Sequence, residues 1–200
     1  MSLRSSLICL LAFGVLTGGC DRQVSAPEQA KATPAAQAPQ PAAASSGPKE
    51  GEKVIIDTIG TLDRSHKGEA APAASFLDPA GKATSLAAFR GKPVLLNLWA
   101  TWCGPCVTEM PTLDAIAKTM TVAAVSQDLG ASDKVVAFFA QKKLANLQPY
   151  HDPKADLSIA YNAELPTSIL YDSTGHEVWR MTGGMDWTTE TAKSLLAEAQ

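Results

Sequence analysis

The chain reads VLLNLWATWCGPC from Val94 to Cys106. The run Pro93–Ala100 is almost unbroken in its apolar character and predicts a central β-strand that is covered on both faces. Beyond Cys106 the apolar side chains recur at intervals of three and four residues, which predicts an α-helix with one buried face: Val107, Met110, Leu113, Ala117 and Met120. Two cysteines therefore lie where a buried strand passes into a helix.

The position of these cysteines favours chemistry at sulfur. At a helix N-terminus the unpaired N–H groups and the helix dipole favour an anion, so the thiolate of Cys103 is stabilised. Pro105 falls in the first turn, where its missing N–H breaks no hydrogen bond. Two intervening residues bring the sulfurs within reach of a disulfide and leave Cys103 outermost. We therefore expect Cys103 to attack and Cys106 to resolve the mixed disulfide.

Two other roles for this motif fit the sequence less well. A structural zinc site needs four ligands, and besides the two cysteines the part of the chain after residue 50 offers three histidines without ligand spacing: His66, His151 and His176. A purely structural disulfide would need neither Trp102 before it nor Gly104-Pro105 inside it. The motif therefore predicts thiol–disulfide exchange with no metal and no cofactor.

The rest of the folded part alternates strands with helices. Strands are predicted at Ser75–Leu77, Val122–Val125, Thr167–Tyr171 and Glu177–Met181, the last two as a pair around a turn. Helices are predicted at Ser132–Lys143, Ala155–Tyr161 and Thr188–Ala199, and Ser132 or Asp133 can cap the first of these. This order predicts an α/β fold, a central mixed β-sheet with helices on both faces.

Length and charge narrow the class of protein. The 200 residues are enough for one domain of ordinary size and additional segments outside it. No basic face can be assembled from 17 Lys and Arg spread among 20 Asp and Glu, which argues against binding nucleic acid. A long apolar run occurs once, at the N-terminus, so a polytopic membrane protein is excluded. Nothing in the sequence indicates more than a monomer.

Residues 1–19 have the pattern of a signal peptide, with Arg4 before an apolar run, Leu7–Leu16, that is too short to span a membrane. Small residues then precede Cys20, which resembles a bacterial lipobox, whose cysteine is acylated, and Asp21 resembles the signal for retention at the inner membrane. An ordinary secretory peptide with a chance cysteine is the alternative. We expect the protein at the periplasmic face of the bacterial cell envelope, anchored to lipid, with Cys9 removed.

Residues 20–50 predict a disordered, lipid-anchored tether. From Asp21 to Glu50 the segment is rich in alanine and proline and has no aromatic residue, so it cannot bury enough apolar surface to offset its ordering entropy. Fully extended it would span on the order of 90 Å. Residues 51–68 form a leader of uncertain role in which Val54–Ile56 could be a short strand, and the folded domain is expected at residues 69–200.

The motif and its surroundings resemble the thioredoxin superfamily. Val94–Cys106 is similar to the active-site strand and loop of that superfamily, and residues 106–113 are similar to the Cys-x-x-Glu-x-Pro-x-Leu pattern of TlpA/ResA-type membrane-tethered thiol–disulfide oxidoreductases. Gly91–Val94, with Ser85-Leu86 before it, matches the same family, and Glu164–Ser168 resembles its cis-proline loop. The likeness runs from about Pro72 to the C-terminus and implies a thioredoxin-like fold.

The resemblance also implies roles for single residues. Cytoplasmic thioredoxin has a buried aspartate where this chain has Asn97, and Glu109 resembles the family's replacement for that acid. We hypothesise that burial raises the pKa of Glu109 and that this carboxylate accepts the proton of Cys106. The alternative is that Glu109 is an ordinary solvated glutamate on the helix surface.

The resemblance implies that Pro166 follows a cis peptide bond, which leaves the neighbouring backbone free to pair with an extended substrate. The alternative is a plain trans proline. Five further residues are expected to contact substrate or support the site: Trp102, Gly104, Pro105, Leu165 and Thr167.

Other aromatic and glycine residues receive simpler interpretations. Trp99 is predicted to lie in the core, and Trp102 at a contact surface beside the nucleophile. Trp179 and Trp187 are predicted to serve packing. The pair Gly183-Gly184 predicts a loop near the sheet edge that can line a substrate groove.

The expected activity is therefore protein thiol–disulfide exchange outside the cytoplasm. The Gly-Pro pair inside the motif matches thioredoxin, a reductant with a potential of about −270 mV. Because the periplasm is kept oxidising, a reductase there needs an electron supply, and the resemblance implies a membrane donor of the DsbD or CcdA type. The implied substrates are the haem-binding cysteines of apocytochrome c or the copper-site cysteines of an oxidase assembly pathway. Two alternatives stay open: a copper-binding or delivery module, and a disulfide donor.

Overall fold

The computed structural model describes residues 54–56 and 60–199. The strands are β1 (Val54–Ile56), β2 (Gly60–Asp63), β3 (Ser75–Leu77), β4 (Ala83–Ser85), β5 (Val94–Trp99), β6 (Thr121–Ser126), β7 (Tyr150–His151), β8 (Thr167–Tyr171) and β9 (Glu177–Thr182). The helices are α1 (Gly104–Ile116), α2 (Asp133–Lys142), α3 (Asp156–Tyr161) and α4 (Glu190–Leu196), with 3-10 turns at Leu86–Phe89 and Ala197–Ala199.

The described strands form one mixed sheet in the order β1-β2-β9-β8-β5-β6-β7-β3-β4. β5, β6 and β7 run parallel, and the other neighbours are antiparallel. Parallel strands require crossover connections, and α1 and α2 supply them. The predicted mixed sheet is confirmed.

Strand β5 runs through the middle of the core, and all six of its residues are buried. Because side chains alternate along a strand, Leu95 and Trp99 join the core cluster that contains α1, α2 and α4. Leu96 and Leu98 face the other cluster, which contains α3 and the first 3-10 turn. Helices therefore cover both faces of the sheet, and the apolar run of β5 follows from this double coverage.

One edge of the sheet gathers the chain segments that carry chemistry. The parallel strands β5 and β6 both end there, at Trp99 and Ser126, which pair with each other. The antiparallel strand β8 begins at the same edge, since Thr167 pairs with Leu98. The loop before α1 and the loop before β8 are therefore neighbours, although α1, β6, α2, β7 and α3 lie between them in the chain.

The folded unit begins earlier than the predicted boundary at Glu69, which is therefore wrong. β2 pairs antiparallel with β9, and Leu62 is 2% exposed in the core cluster with Trp179 and Met181. The triplet Val54–Ile56 is a strand, paired with β2. The short, charged segment around β2 carries too weak a strand pattern to be recognised without its partner β9.

Smaller differences concern helix ends. The predicted first helix extends to Met120, but α1 ends at Ile116, because the chain must turn before Thr121 enters the sheet beside Val94. Ser132 is the N-cap of α2 but makes no side-chain capping bond, since its backbone is already helical and holds the hydroxyl away from the first-turn N–H groups.

The predictions for residues 1–50 lie outside the described residues. They comprise the signal peptide, the acylation of Cys20 and the tether. No helix within residues 60–199 combines the length and the apolar character that a membrane crossing requires.

Replacing Leu62 by alanine should lower the free energy of unfolding by about 2–5 kcal/mol, because the substitution leaves a cavity beneath β2. Denaturant titration followed by tryptophan fluorescence measures the loss. The control is Thr61→Ala. Thr61 directly precedes Leu62 in the same strand and is only partly buried. A loss for Leu62→Ala no larger than that of the control would contradict the docking of β2 into this core.

Candidate active site

The N-terminus of α1 holds both cysteines. Cys103 is the N-cap residue, and its Sγ accepts a hydrogen bond from the backbone N–H of Cys106 at 3.4 Å. Pro105 lies in the first turn, as predicted, and a disulfide joins Cys103 to Cys106. The free N–H groups of the first turn favour negative charge on the Cys103 sulfur when that disulfide is reduced.

The two sulfurs differ in access. Cys103 is 6% exposed, whereas Cys106 is completely buried. Trp102 stands beside them with 70% of its surface exposed, while Trp99 is buried against Phe138 and Phe139. An incoming disulfide can therefore meet Cys103 before Cys106, which is the order that an attacking and a resolving cysteine require.

A buried acid fixes the loop in front of Cys103. The carboxylate of Asp128 accepts hydrogen bonds from the backbone N–H of Thr101 at 2.9 Å, from its hydroxyl at 2.6 Å, and from the Ser126 hydroxyl at 2.7 Å. Burial opposes its charge, but these bonds more than offset the burial and hold the pKa of Asp128 below its usual range. The carbonyl oxygen of Asp128 in turn accepts from Nε2 of His151 at 2.7 Å.

Sequence reasoning missed Asp128 as a site residue. A signal was present, because the polar triplet Ser126-Gln127-Asp128 directly follows an apolar strand. The carboxyl ends of neighbouring parallel strands meet at one edge of a sheet, and this places such a triplet beside the loop that follows β5.

Glu109 is buried on the inner face of α1, with 4% of its surface exposed. Its Oε1 accepts from Nδ2 of Asn97 at 2.8 Å, and its Oε2 accepts from the backbone N–H of Met185 at 3.0 Å and from Nε1 of Trp187 at 3.3 Å. Burial raises the pKa of Glu109 from 4.5 to about 7, although the three hydrogen bonds act against the rise. The predicted burial is present, and a group with this pKa can take up or release a proton near neutral pH.

A cavity of about 300 Å³ opens beside this carboxyl. Its lining is mainly apolar and comes from α1 and from the loop before α4: Pro105, Thr108, Glu109, Thr112, Gly184, Met185 and Asp186. A Cβ atom at Gly184 would lie 3.6 Å from the Pro105 carbonyl oxygen and 3.8 Å from Oε2 of Glu109, so a larger residue would intrude on the carboxyl. Of the predicted loop Gly183-Gly184, Gly184 lines this cavity.

The Leu165–Pro166 peptide bond is cis, the form that the resemblance implies. The carbonyl oxygen of Pro166 accepts from the backbone N–H of Gly183 at 2.8 Å, and the Thr167 hydroxyl donates to the Glu164 carbonyl oxygen at 2.5 Å. Leu165 is partly buried and packs against both core clusters. The structure therefore brings the loop with Pro166 and the loop with Gly183 together at the edge where α1 begins.

The remaining predicted residues are distributed as follows. Gly104 and Pro105 are exposed in the first turn of α1, and Thr167 is buried at the start of β8. Trp179 and Trp187 are completely buried and stack with their ring centroids 6.5 Å apart, although Trp187 also bonds Glu109. Among residues 60–199 no group of three or more His, Cys, Asp and Glu side chains is arranged to hold a metal ion.

Comparison with known proteins places these features in a family context. The family model described as Redoxin matches residues 66–196. The thiol–disulfide oxidoreductase ResA of Geobacillus kaustophilus is 34% identical over 122 residues, which are 59% of this chain and 70% of the relative.

Two solved structures show the same similarity. A candidate DsbE thiol:disulfide interchange protein from Chlorobium tepidum superposes with a TM-score of 0.59 at 30% identity, over 67% of this chain and 98% of that chain. The exposed lipoprotein thioredoxin of Streptococcus pneumoniae superposes with a TM-score of 0.52 at 25% identity, over 61% of this chain and 96% of that chain.

The burial of Glu109 predicts a specific dependence of stability on pH. Below pH 4.5 the carboxyl is neutral in both the folded and the unfolded chain, whereas above about pH 7 it is charged in both, and the folded state then carries the full penalty of a buried charge. The oxidised protein should therefore lose stability on the order of 3 kcal/mol from this group as the pH rises through that window.

Denaturant titrations of the oxidised protein between pH 4 and pH 8 measure this loss. Glu109→Gln has no charge to bury, so its stability should fall less over the same window. Glu164→Gln, which removes an exposed carboxyl near the site, controls for general charge effects and should follow the wild type. Parallel curves for Glu109→Gln and the wild type would contradict the raised pKa.

Proposed function

This chain belongs to the Redoxin family and is a thiol–disulfide oxidoreductase with a Cys103–Cys106 pair, and from that premise we propose that it reduces disulfides of other proteins outside the cytoplasm. The observation that carries the exchange step is the buried carboxyl of Glu109, three residues from Cys106 on α1, whose pKa of about 7 allows proton transfer near neutral pH. A completely buried cysteine needs a nearby proton acceptor before it can act as a nucleophile, because water cannot reach it. The pair Gly104-Pro105 inside the motif supports the reducing direction.

The reaction begins with the reduced protein. The Cys103 thiolate attacks one sulfur of the substrate disulfide, a mixed disulfide forms, and the other substrate sulfur leaves as a thiolate. The N-terminus of α1 supports the anionic sulfur of Cys103 before this attack. No proton has to move inside the protein in this first step.

The second step uses the buried pair. The Cys106 thiol gives its proton to the Glu109 carboxylate, and the resulting thiolate attacks the Cys103 sulfur of the mixed disulfide. The second substrate sulfur leaves as a thiolate, and Cys103 and Cys106 are joined by a disulfide. Two electrons have then passed to the substrate, and an external dithiol must return two electrons before the next cycle.

The surface around Cys103 suits an extended polypeptide. The exposed Trp102 ring offers apolar contact on one side, and the partly buried Leu165 of the cis bond lies on another. Thr167, which is buried, supports this loop from within. The substrates that we propose are proteins with a cysteine pair, such as the haem-binding cysteines of apocytochrome c or the copper-site cysteines of an oxidase under assembly. The electron donor would be a membrane protein of the DsbD or CcdA type.

The location proposed is the outer face of the bacterial inner membrane. The apolar run Leu7–Leu16 with Cys20 behind it supports export and acylation, and one relative is described as an exposed lipoprotein. Residues 20–50 would then tether the domain and let it reach partners within a few tens of ångströms of the membrane.

The proton acceptor can be tested on the resolving step alone. A mixed disulfide is formed between Cys103 and the thiol of a small labelled peptide. Release of the peptide at pH 7 is then measured by quenching samples rapidly after increasing times. Glu109→Gln should slow the release by about 100-fold or more, because the variant cannot accept the proton of Cys106. Glu164→Gln serves as the matched control, and a normal release rate in folded Glu109→Gln would exclude the role.

The direction of exchange can be tested in growing cells. Thiols are trapped with acid and labelled with a mass-shifting alkylating reagent. The Cys103–Cys106 pair should be mostly reduced, because the electron donor of a reductase must keep its cysteines in the thiol form. Deletion of the membrane donor should convert the pair to the disulfide. A pair that is mostly oxidised in cells with an intact donor would overturn the reductase direction and favour a disulfide donor.

A further inference from the structure

Asn97 lies at the centre of β5 and is completely buried. Its Nδ2 donates to Oε1 of Glu109 at 2.8 Å and to Oγ of Ser168 at 2.9 Å. Its Oδ1, also buried, has no hydrogen-bond partner among the described residues. The amide nitrogen of Asn97 therefore makes two hydrogen bonds, whereas its amide oxygen makes none and is only packed against its neighbours.

The groups around Glu109 suit its charged form. In the described part of the chain three groups donate to this carboxyl: the Asn97 amide, the Met185 backbone N–H and the Trp187 indole N–H. The latter two can only donate. When Glu109 takes up a proton, its new O–H needs an acceptor, and of the three partners Asn97 alone carries an acceptor atom.

We propose that Asn97 is the positioning residue of the buried carboxyl and serves both of its protonation states, by turning its amide over when Glu109 gains or loses a proton. The inference rests on the proposed function only in that Cys106 is the source of the proton. With Glu109 charged, Nδ2 faces Oε1, as in the structure. With Glu109 neutral, Oδ1 takes that place and accepts from the carboxylic O–H.

The surroundings of the amide allow this rotation. The Ser168 hydroxyl can donate as well as accept, so it bonds Nδ2 in one orientation and Oδ1 in the other. Turning the amide replaces the two hydrogen bonds at Nδ2 with two at Oδ1, and it moves Nδ2 to the buried position where Oδ1 has no partner among the described residues. The unpaired N–H groups are the cost of the neutral state, and the new bond from the carboxylic O–H works against that cost. Asn97 itself neither gains nor loses a proton, so the transfer remains one from sulfur to carboxyl.

The other ionisable groups near Glu109 are few. Cys106 is its neighbour on α1, and Asp186 lines the same cavity from the loop before α4, where its carboxylate is held by the N–H and hydroxyl of Thr188. From β5 and β8 the facing polar side chains are Asn97 and Ser168, which do not titrate. Among the described residues the ionisable groups near Glu109 on the elements packed around it are therefore Cys106 and Asp186.

Nuclear magnetic resonance of the wild-type oxidised protein tests the proposal without any variant. In this form the cysteines cannot titrate, and the side-chain carboxyl carbon of Glu109 and the side-chain amide of Asn97 are followed from pH 4 to pH 9. We expect both to shift with one common midpoint, and the nuclear Overhauser contacts of the Asn97 NH₂ protons to Ser168 to be present at high pH and lost at low pH. The buried amide of Gln127, which donates to the Val125 carbonyl oxygen, is the internal control and should not follow.

A retained contact between the Asn97 NH₂ protons and Ser168 through the whole titration of Glu109 would overturn the proposal. This measurement uses no substrate, so it can fail while the reductase activity stands and can succeed where that activity is absent. The two results are therefore distinguishable.

Two variants extend the test. Asn97→Asp has nearly the same shape and places a second carboxyl against Glu109, so the Glu109 signal should titrate in two separate steps as a coupled pair. Asn97→Leu removes the partner of both states; because a bond to the charged form is the stronger one, the pH dependence of the resolving step should move upward by about one unit. A single, unshifted titration in both folded variants would overturn the role of Asn97.

Discussion

The buried carboxyl of Glu109 is the contact on which the arrangement of the site depends. It joins the first helix to the central strand through Asn97 and to the loop before the last helix through Met185 and Trp187. These three segments come from widely separated parts of the chain, and one side chain fixes their relative positions. A neutral residue of similar size would keep part of this scaffold but could not accept the proton of Cys106, as the proposed function requires. Structure and chemistry therefore constrain this position together.

A second buried acid, Asp128, has a pKa that is shifted in the opposite direction from that of Glu109. Asp128 and Glu109 are almost equally hidden from solvent, yet the pKa of Asp128 lies below its usual range and that of Glu109 lies well above. Asp128 sits at the sheet edge among short bonds from hydroxyl and backbone donors, whereas Glu109 sits in the core with longer bonds to weaker donors. Asp128 therefore stays charged and can act as a fixed anchor for the loop before Cys103. Glu109 changes its charge near neutral pH and can take part in proton transfer.

Much of this could be predicted from local pattern. The apolar run of the central strand, the spacing of three and four in the first helix and the position of the cysteines between them could be predicted because each signal lies within one short segment. The alternation of strands and helices predicted the α/β class, and the family resemblance implied the thioredoxin-like fold. Contacts between distant segments could not be predicted. The strand with Leu62 finds its partner more than 100 residues later, and Trp187 reaches Glu109 across 78 positions. Such contacts depend on how the strands are ordered in the sheet, and no local periodicity encodes that order.

The surroundings of Cys106 also bear on how a reduced protein is kept from losing its electrons. Cys106 and Glu109 lie on the same face of one helix, and both side chains are almost completely buried. When the disulfide is reduced, a thiolate on Cys106 and a charged Glu109 would repel each other strongly in this buried region. While Glu109 is charged, Cys106 is held as a thiol, and a thiol is a poor nucleophile. Under the proposed function the inner cysteine becomes a nucleophile when the carboxyl takes its proton, so closure of the disulfide depends on the charge of Glu109.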